Sequence, residues 1–492
     1  MKGKKVLIVG AGIGGIATAL RLSARGYDVE IVEKYKQAGG RLNQIKANGF
    51  TFDTGPSFFS MSYEFEQFAK DCNITLPFEY EELEPLYTVH ISGRETPFYL
   101  YKDIKKLSAQ FEGIENNFEK KMEAYLQKCS ALFHDTVDIA IKQNFDTFPQ
   151  YFKALMQVNP KHLPVLFKTF YSQVCKYFKS QEARQIVSLV AFFLGRTPFD
   201  TSAIYTLLSY TEFRHDGYYN VKGGMYKIVE TLVKELQKRN IPIHYNTEIV
   251  GFETTETGKL KSLTDANNQQ WTADAFVINA DAAVFRGKVF ERKEYSPQKL
   301  DKKQWTMGYL TMYIGLSVKL EHIDHHNYFI GNNFFDYASD IYKNPSKLQK
   351  PYYYVNVLSK NNPDCAPQGC ETLFFVCPVP DLRYKPNWDD RDEIVDSIIA
   401  DFSVRIKQDI GSKIISKNIF TPLEWQNTFN LHRGSGLGLS HSLFQIGALR
   451  PKNFDEIFKN VFYVGASTVP GAGIPMSIIS SQLATQRVEK YF

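Results

Sequence analysis

Lys5-Val-Leu-Ile-Val9-Gly10-Ala-Gly12-Ile13-Gly14-Gly15, followed at once by IATALRLSARG to Gly26, decides the fold. The short β-branched run Lys5–Val9 suits a strand buried on both faces, and the apolar spacing after Gly15 suits a helix. Between them the glycines have separate tasks. Gly10 permits a tight turn, Gly12 lets a pyrophosphate approach the backbone, and Gly15 allows the helix to pack closely on the strand. The helix N-terminus supplies free amides and a positive dipole end for phosphates, with Ile13 and Gly14 in its first turn. Gly26 fits the end of that helix, and YDVEIV (27–32) reads as the second strand, running into Glu33 and Lys34.

A carboxylate at Glu33 is placed to accept hydrogen bonds from adenosine ribose hydroxyls, and its charge disfavours a 2′-phosphate. The pattern therefore predicts FAD or NAD over NADP. A glycine turn alone is weak evidence; here strand, helix and acidic residue all stand at the required spacing.

Bulk properties exclude other classes. The 492 residues allow two or three domains, and 43% hydrophobic with 23% charged residues is ordinary for a folded chain. Net charge is +5, too little for a nucleic-acid binder. Cys72, Cys129, Cys175, Cys365, Cys370 and Cys377 form no C-x-x-C pair, so neither a redox dithiol nor a metal site is expected, and reduced thiols suit the cytoplasm. Aromatic content is high, with 38 Phe and 29 Tyr, which suits either an aromatic core or a large apolar ligand site. No apolar run reaches a membrane span; the best, 186–194, is about half of one.

Further segments carry a family resemblance. Ala38-Gly39-Gly40-Arg41-Leu42 and Phe52-Asp53-Thr54-Gly55-Pro56-Ser57 resemble the extended motif of the flavoproteins that include amine oxidases and phytoene desaturases. In that group the GG-R segment runs beside the FAD diphosphate, which makes Arg41 the candidate cation there. Val461-Phe-Tyr-Val-Gly465-Ala466 and Val469-Pro-Gly471-Ala-Gly473-Ile474-Pro475-Met476 lead into a closing helix. The resemblance places that helix end at the flavin ring, where its dipole stabilises negative charge on the reduced cofactor.

The middle of the chain agrees. Gly217 to Tyr226 is similar to the G-x-x-x-P-x-G-G-M segment of bacterial phytoene-desaturase-type carotenoid desaturases, with Val221 where proline is usual. Trp271 to Asp281 matches that family's A-D-x-V-V-x-N-A-D, and contributes Asn279, Ala280 and Asp281. By the same analogy Ile249, in the strand at 249–252, contributes main-chain contacts to the adenine. His432 to Ser440 and Leu449-Arg450-Pro451 follow the carotenoid-specific pattern, and GIGGIATALRL, FTFDTGPSFFSM and FEYEELEPLY are most similar to 1-hydroxycarotenoid 3,4-desaturases.

The resemblance implies an α/β fold: a Rossmann-type FAD-binding domain (1–70, 221–286, 428–492), an antiparallel-sheet substrate domain (71–100, 287–427) and a helical, membrane-facing subdomain (101–220). It implies FAD as cofactor, a lipophilic carotenoid substrate and peripheral membrane contact. No second G-x-G-x-x-G offers a nicotinamide site, so oxygen or a membrane quinone is the expected electron acceptor. Phytoene desaturation and carotenoid cis-trans isomerisation are the alternatives, and a GDP-dissociation-inhibitor-like binding protein is the non-enzymatic one. Between Thr147 and Gln181 there is no acidic residue, while Lys153, Lys161, Lys168, Lys176 and Lys179 alternate with apolar residues; this reads as a helix at a membrane interface. No catalytic dyad is evident, since His215, His432 and His441 are scattered. Arg196 and His432 are the catalytic candidates, Arg196 because its region lies near the flavin in relatives, His432 for its glycine-rich family motif.

Overall fold

The computed structural model describes residues 3–492. Lys5–Val9 is the central strand of a five-stranded parallel sheet, flanked by Asp28–Val32 and then Ile243–His244 on one side, and by Ala275–Ile278 and then Val461–Tyr463 on the other. Val6, Leu7 and Ile8 are wholly buried, Val6 and Ile8 against the helical layer and Leu7 against the 249–272 segment, as a continuous apolar strand requires. The helix Ile13–Ala24 follows the glycine turn, and Gly26 closes it with φ +86°, its amide donating to the Ser23 carbonyl while Tyr27 N donates to Leu22 O. The closing helix Ile474–Tyr491 packs against it. The segment IPIHYNTEIVGFET is divided between two sheets. Ile243–His244 joins the parallel sheet, whereas Ile249–Thr254 begins a three-stranded antiparallel meander with Leu260–Asp265 and Gln270–Thr272.

A seven-stranded sheet runs in the spatial order Ile414–Phe420, Gly308–Leu316, Glu371–Val379, Tyr353–Asn356, His326–Ile330, Tyr87–Ile91, Phe98–Leu100. It is antiparallel except where His326–Ile330 pairs parallel with Tyr87–Ile91. The aromatic runs follow its period of two, which puts Tyr309, Thr311, Tyr328, Ile330, Tyr354, Phe374 and Val376 on the face turned towards the cavity described below.

The region 104–215 is helical, but the basic stretch is not one helix. It breaks into Phe148–Leu155, a short turn at Pro160–His162, Leu163–Leu166 and Phe170–Val174. Pro160 and Pro164 cannot continue a helix begun before them. Exposed apolar side chains remain on these pieces: Phe148, Phe152, Met156, Leu163 and Phe167, the last 80% accessible. Among the described residues no helix is long and apolar enough to cross a membrane.

Candidate flavin and substrate site

One cavity, about 470 Å³, runs between the parallel sheet and the seven-stranded sheet. Its first half is lined by glycine-rich loops: 12–14, 39–42, 54–57, 279–281, 464–467 and 473–475. These segments are distant in sequence and converge because the sheet brings its strand ends to one edge. Gly39 N donates to Ala11 O at 2.8 Å and Gly12 bridges to Gly39, so the GG-R loop lies flat on the glycine turn. A Cβ on Gly15 would stand 2.2 Å from the Gly10 carbonyl, which is the close helix-to-strand approach read from the motif.

The residues of this half fit a dinucleotide. Both Ile13–Ala24 and Ile474–Tyr491 begin at a glycine, Gly12 and Gly473, with no side-chain cap, so two helix N-termini present unsatisfied amides and dipole ends to the same cavity. Arg41 lines the wall with one long hydrogen bond, to the Gly436 carbonyl at 3.5 Å, and burial pushes its pKa down against the opposing influence of Asp281. A cation so weakly compensated calls for an anion. Asn279 donates from Nδ2 to the Val464 carbonyl, while its Oδ1 is buried without a protein partner.

Of the candidate cofactor residues, Gly12, Ile13, Gly14, Gly40, Arg41, Leu42, Gly55, Pro56, Ser57, Asn279, Ala280, Asp281, Gly465, Ala466, Gly473, Ile474 and Pro475 stand on this wall. Gly10 and Gly15 lie behind it as the turn and packing positions. Glu33, Lys34, Ile249 and Met476 are also outside the lining. Glu33 accepts from Ala11 N at 2.7 Å through one carboxylate oxygen and from Tyr35 N at 3.0 Å through the other, which holds the turn itself. Each oxygen keeps a second acceptor direction. Burial, partly offset by these amides, pushes the Glu33 pKa up. Lys34 pairs with Glu248 at 2.8 Å, and Asp281 caps the helix Ala282–Lys288 by accepting from Ala283 and Val284 amides.

The two catalytic candidates stand elsewhere. Arg196 is held by Asp200 at 2.8 Å and by Gln304 and Ser440, each at 3.2 Å. His432 Nε2 lies 2.8 Å from Asp301, with its ring against Trp305. Both tie loops together outside the cavity lining. His441 is a support as well: its Nε2 accepts from Ala472 N at 3.3 Å and steadies the glycine loop before the closing helix. Arg450, present in the sequence only as part of a motif, is fully buried and donates to the carbonyls of Leu439, Ser440, Gln445, Ala466 and Thr468. It thereby clamps the loop 439–445 to the segment 464–468, of which 464–467 line the cavity.

The second half of the cavity is apolar and aromatic: Phe58, Leu189, Phe192, Phe193, Phe334, Tyr309, Tyr328, Tyr354, Phe374, Trp425 and Phe429. No local sequence signal marks these positions singly; they meet through the register of the sheet. The six cysteines are free, and among the described residues no His, Cys, Asp or Glu cluster is arranged to hold a metal.

Residues 13–489 match the family described as flavin containing amine oxidoreductase. The chain belongs to that family. It is therefore a flavin-dependent oxidoreductase, and the cofactor that fits the glycine-lined half is FAD. Over 99% of its length it is 29% identical to a zeta-carotene-forming phytoene desaturase of Myxococcus xanthus, covering 94% of that protein. Over 98% it is 27% identical to a carotenoid 3,4-desaturase of Haloarcula japonica, covering 97% of that one. Among solved structures, a putrescine oxidase mutant shares the fold at a TM-score of 0.66 and 11% identity, with 99% of both chains covered.

Proposed function

We propose that this flavoenzyme desaturates a carotenoid, introducing a carbon–carbon double bond into an acyclic or monocyclic polyene, and that the bond formed is the 3,4 bond beside a 1-hydroxylated end. One observation carries the reading: the glycine-lined half of the cavity opens directly into an aromatic half with few polar atoms, the shape and chemistry an extended polyene needs. The names of the Myxococcus and Haloarcula relatives support the substrate class, and the second supports the bond position. The Myxococcus relative favours a second reading, phytoene desaturation.

When bound, FAD would supply the acceptor for the hydride, and the hydrogen on the neighbouring carbon would leave as a proton that ends in solvent. The chain's own part is to orient and to keep the site dry. Phe58, Phe193 and Tyr328 hold the polyene flat against the junction of the two halves and exclude water from it. The uncapped N-terminus at Gly473 favours negative charge on that side of the junction. Arg41 and the amides after Gly12 hold the diphosphate.

Access from a lipid phase belongs to the same proposal. Phe192 and Phe334 line the apolar half, and Phe199 touches both Phe334 and the exposed Phe335. The exposed Phe148, Phe152, Met156, Leu163 and Phe167, interspersed with lysines, then form the face that rests on the membrane. Oxygen or a membrane quinone takes the electrons onward.

Expression in cells that accumulate different carotenoids, with mass analysis of the pigments, tests the reading. Loss of two hydrogens from a 1-hydroxylated carotenoid is expected. Loss from phytoene alone selects the second reading, and products of unchanged mass indicate isomerisation.

A further inference from the structure

The cavity wall changes character at Ser57, where the glycine-lined half meets the aromatic half. Its Oγ lies 2.8 Å from the Tyr354 hydroxyl, and that hydroxyl lies 2.6 Å from Nδ1 of His326. The three residues are 9%, 8% and 1% accessible, yet Ser57 and Tyr354 face the cavity.

Asn356 decides which way the protons in this chain point. Its Nδ2 donates to the His325 carbonyl at 3.1 Å, which fixes the orientation of the amide, and the same nitrogen stands 3.4 Å from His326 Nδ1. An amide nitrogen only donates, so the ring nitrogen it faces carries the lone pair. Burial, with His325 alongside, drives the His326 pKa far below its usual range, so the ring is neutral. With the lone pair on Nδ1, its single proton sits on Nε2, which is buried with no hydrogen-bond partner. Tyr354 must then donate its single proton to Nδ1, and Ser57 must donate its own to Tyr354. What remains at the cavity surface is a serine oxygen that accepts and cannot donate.

We propose that Ser57 is a one-way acceptor that selects a substrate end bearing a hydrogen-bond donor, a hydroxyl close to the bond being oxidised, over the same end as an ether or a plain hydrocarbon. This rests on the carotenoid reading above and names how that site recognises its substrate. A hydroxyl two carbons from the reacting carbon stays within about 4 Å of it, at about 1.5 Å per bond. An acceptor for it must therefore stand beside the reacting centre, as Ser57 does at the junction. An N–H of the bound flavin ring is the other donor such an oxygen would take, and the test separates the two.

The holoenzyme, its flavin first reduced so that no hydride can be accepted, is titrated without oxygen with three polyenes that differ only at one end: tertiary hydroxyl, its methyl ether, and hydrocarbon. Binding is read from the polyene's absorbance shift, and the reduction potential of the flavin is measured in parallel. The wild-type protein is expected to bind the hydroxyl about tenfold more tightly than the ether. Tyr354→Phe releases the Ser57 proton, the ether gains, and the difference shrinks to roughly threefold or less. Ser57→Ala removes the preference and Ser57→Thr restores it. A preference that persists in Tyr354→Phe and Ser57→Ala overturns the proposal. So does a Ser57→Ala protein whose flavin potential moves while its end-group preference stays, since the donor is then the ring. Equal binding of all three polyenes by the wild type overturns this inference alone, whereas failure of every polyene to bind removes the carotenoid reading with it.

Discussion

At Gly12 the missing side chain keeps the cradle open: a Cβ there would stand 2.7 Å from Asn279 Oδ1, in the space a pyrophosphate needs. Gly12→Val is expected to lower the flavin retained after desalting by at least about tenfold, read as the flavin-to-protein absorbance ratio. Glu212 makes a different kind of prediction. It is 2% accessible, its Oε1 has no partner, and desolvation raises its pKa from 4.5 to about 8 despite the Tyr87 hydroxyl beside it. An acid raised in the folded state binds a proton that the unfolded chain gives up. The contribution of Glu212 to stability is therefore undiminished below pH 4.5 and declines as pH rises from 4.5 to about 8. Glu212→Gln removes that decline, so its denaturation midpoint should match the wild type near about pH 5 and exceed it near about pH 8. The glycine positions were legible in the sequence because each needs the absence of a side chain at a fixed spacing. Ser57, Tyr354 and His326 were not legible as a group: 297 residues separate Ser57 from Tyr354, and only strand register brings them together.

Between elements, the joints matter more than the strands. Arg450 closes one of them with five carbonyl partners and no carboxylate, and burial lowers its pKa to about 10. Arg450→Ala leaves those buried carbonyls unsatisfied and should cost roughly 3–5 kcal/mol, seen as a fall in thermal midpoint with early loss of flavin, because the loop it frees lines the cavity. The sequence motif around Arg450 pointed to the family, and its mechanical task appears only when the loops 439–445 and 466–468 are seen side by side. The parallel strands were legible from their unbroken apolar runs, as was the closing helix. The basic stretch from Thr147 to Gln181 was legible in composition and misread in form. Its charge and apolar spacing suit a helix, but Pro160 and Pro164 divide it into short pieces whose direction is set by packing against 137–141, 203–206 and 447–449.

Across the whole molecule, the two sheets share one cavity, and Phe199 joins its aromatic wall at Phe334 to Tyr171 of the basic stretch, which carries the exposed apolar side chains. Exposed Phe152 and Phe167, 56% and 80% accessible, are the natural anchors of that face. The double variant Phe152→Asp/Phe167→Asp should weaken flotation with vesicles by at least roughly 100-fold, at about 1.5–3 kcal/mol for each buried phenylalanine, while flavin content holds. Equal flotation would remove the membrane face from the account. The central claim is that the glycine-lined half and the aromatic half form one reaction chamber, in which polyene oxidation and flavin reduction are a single event. Anaerobic mixing of the oxidised holoenzyme with a 1-hydroxylated carotenoid, followed by absorbance and product mass together, tests it most directly. The account predicts that the flavin bleaches in step with a pigment two hydrogens lighter; a flavin that stays oxidised, with pigment mass unchanged, contradicts it.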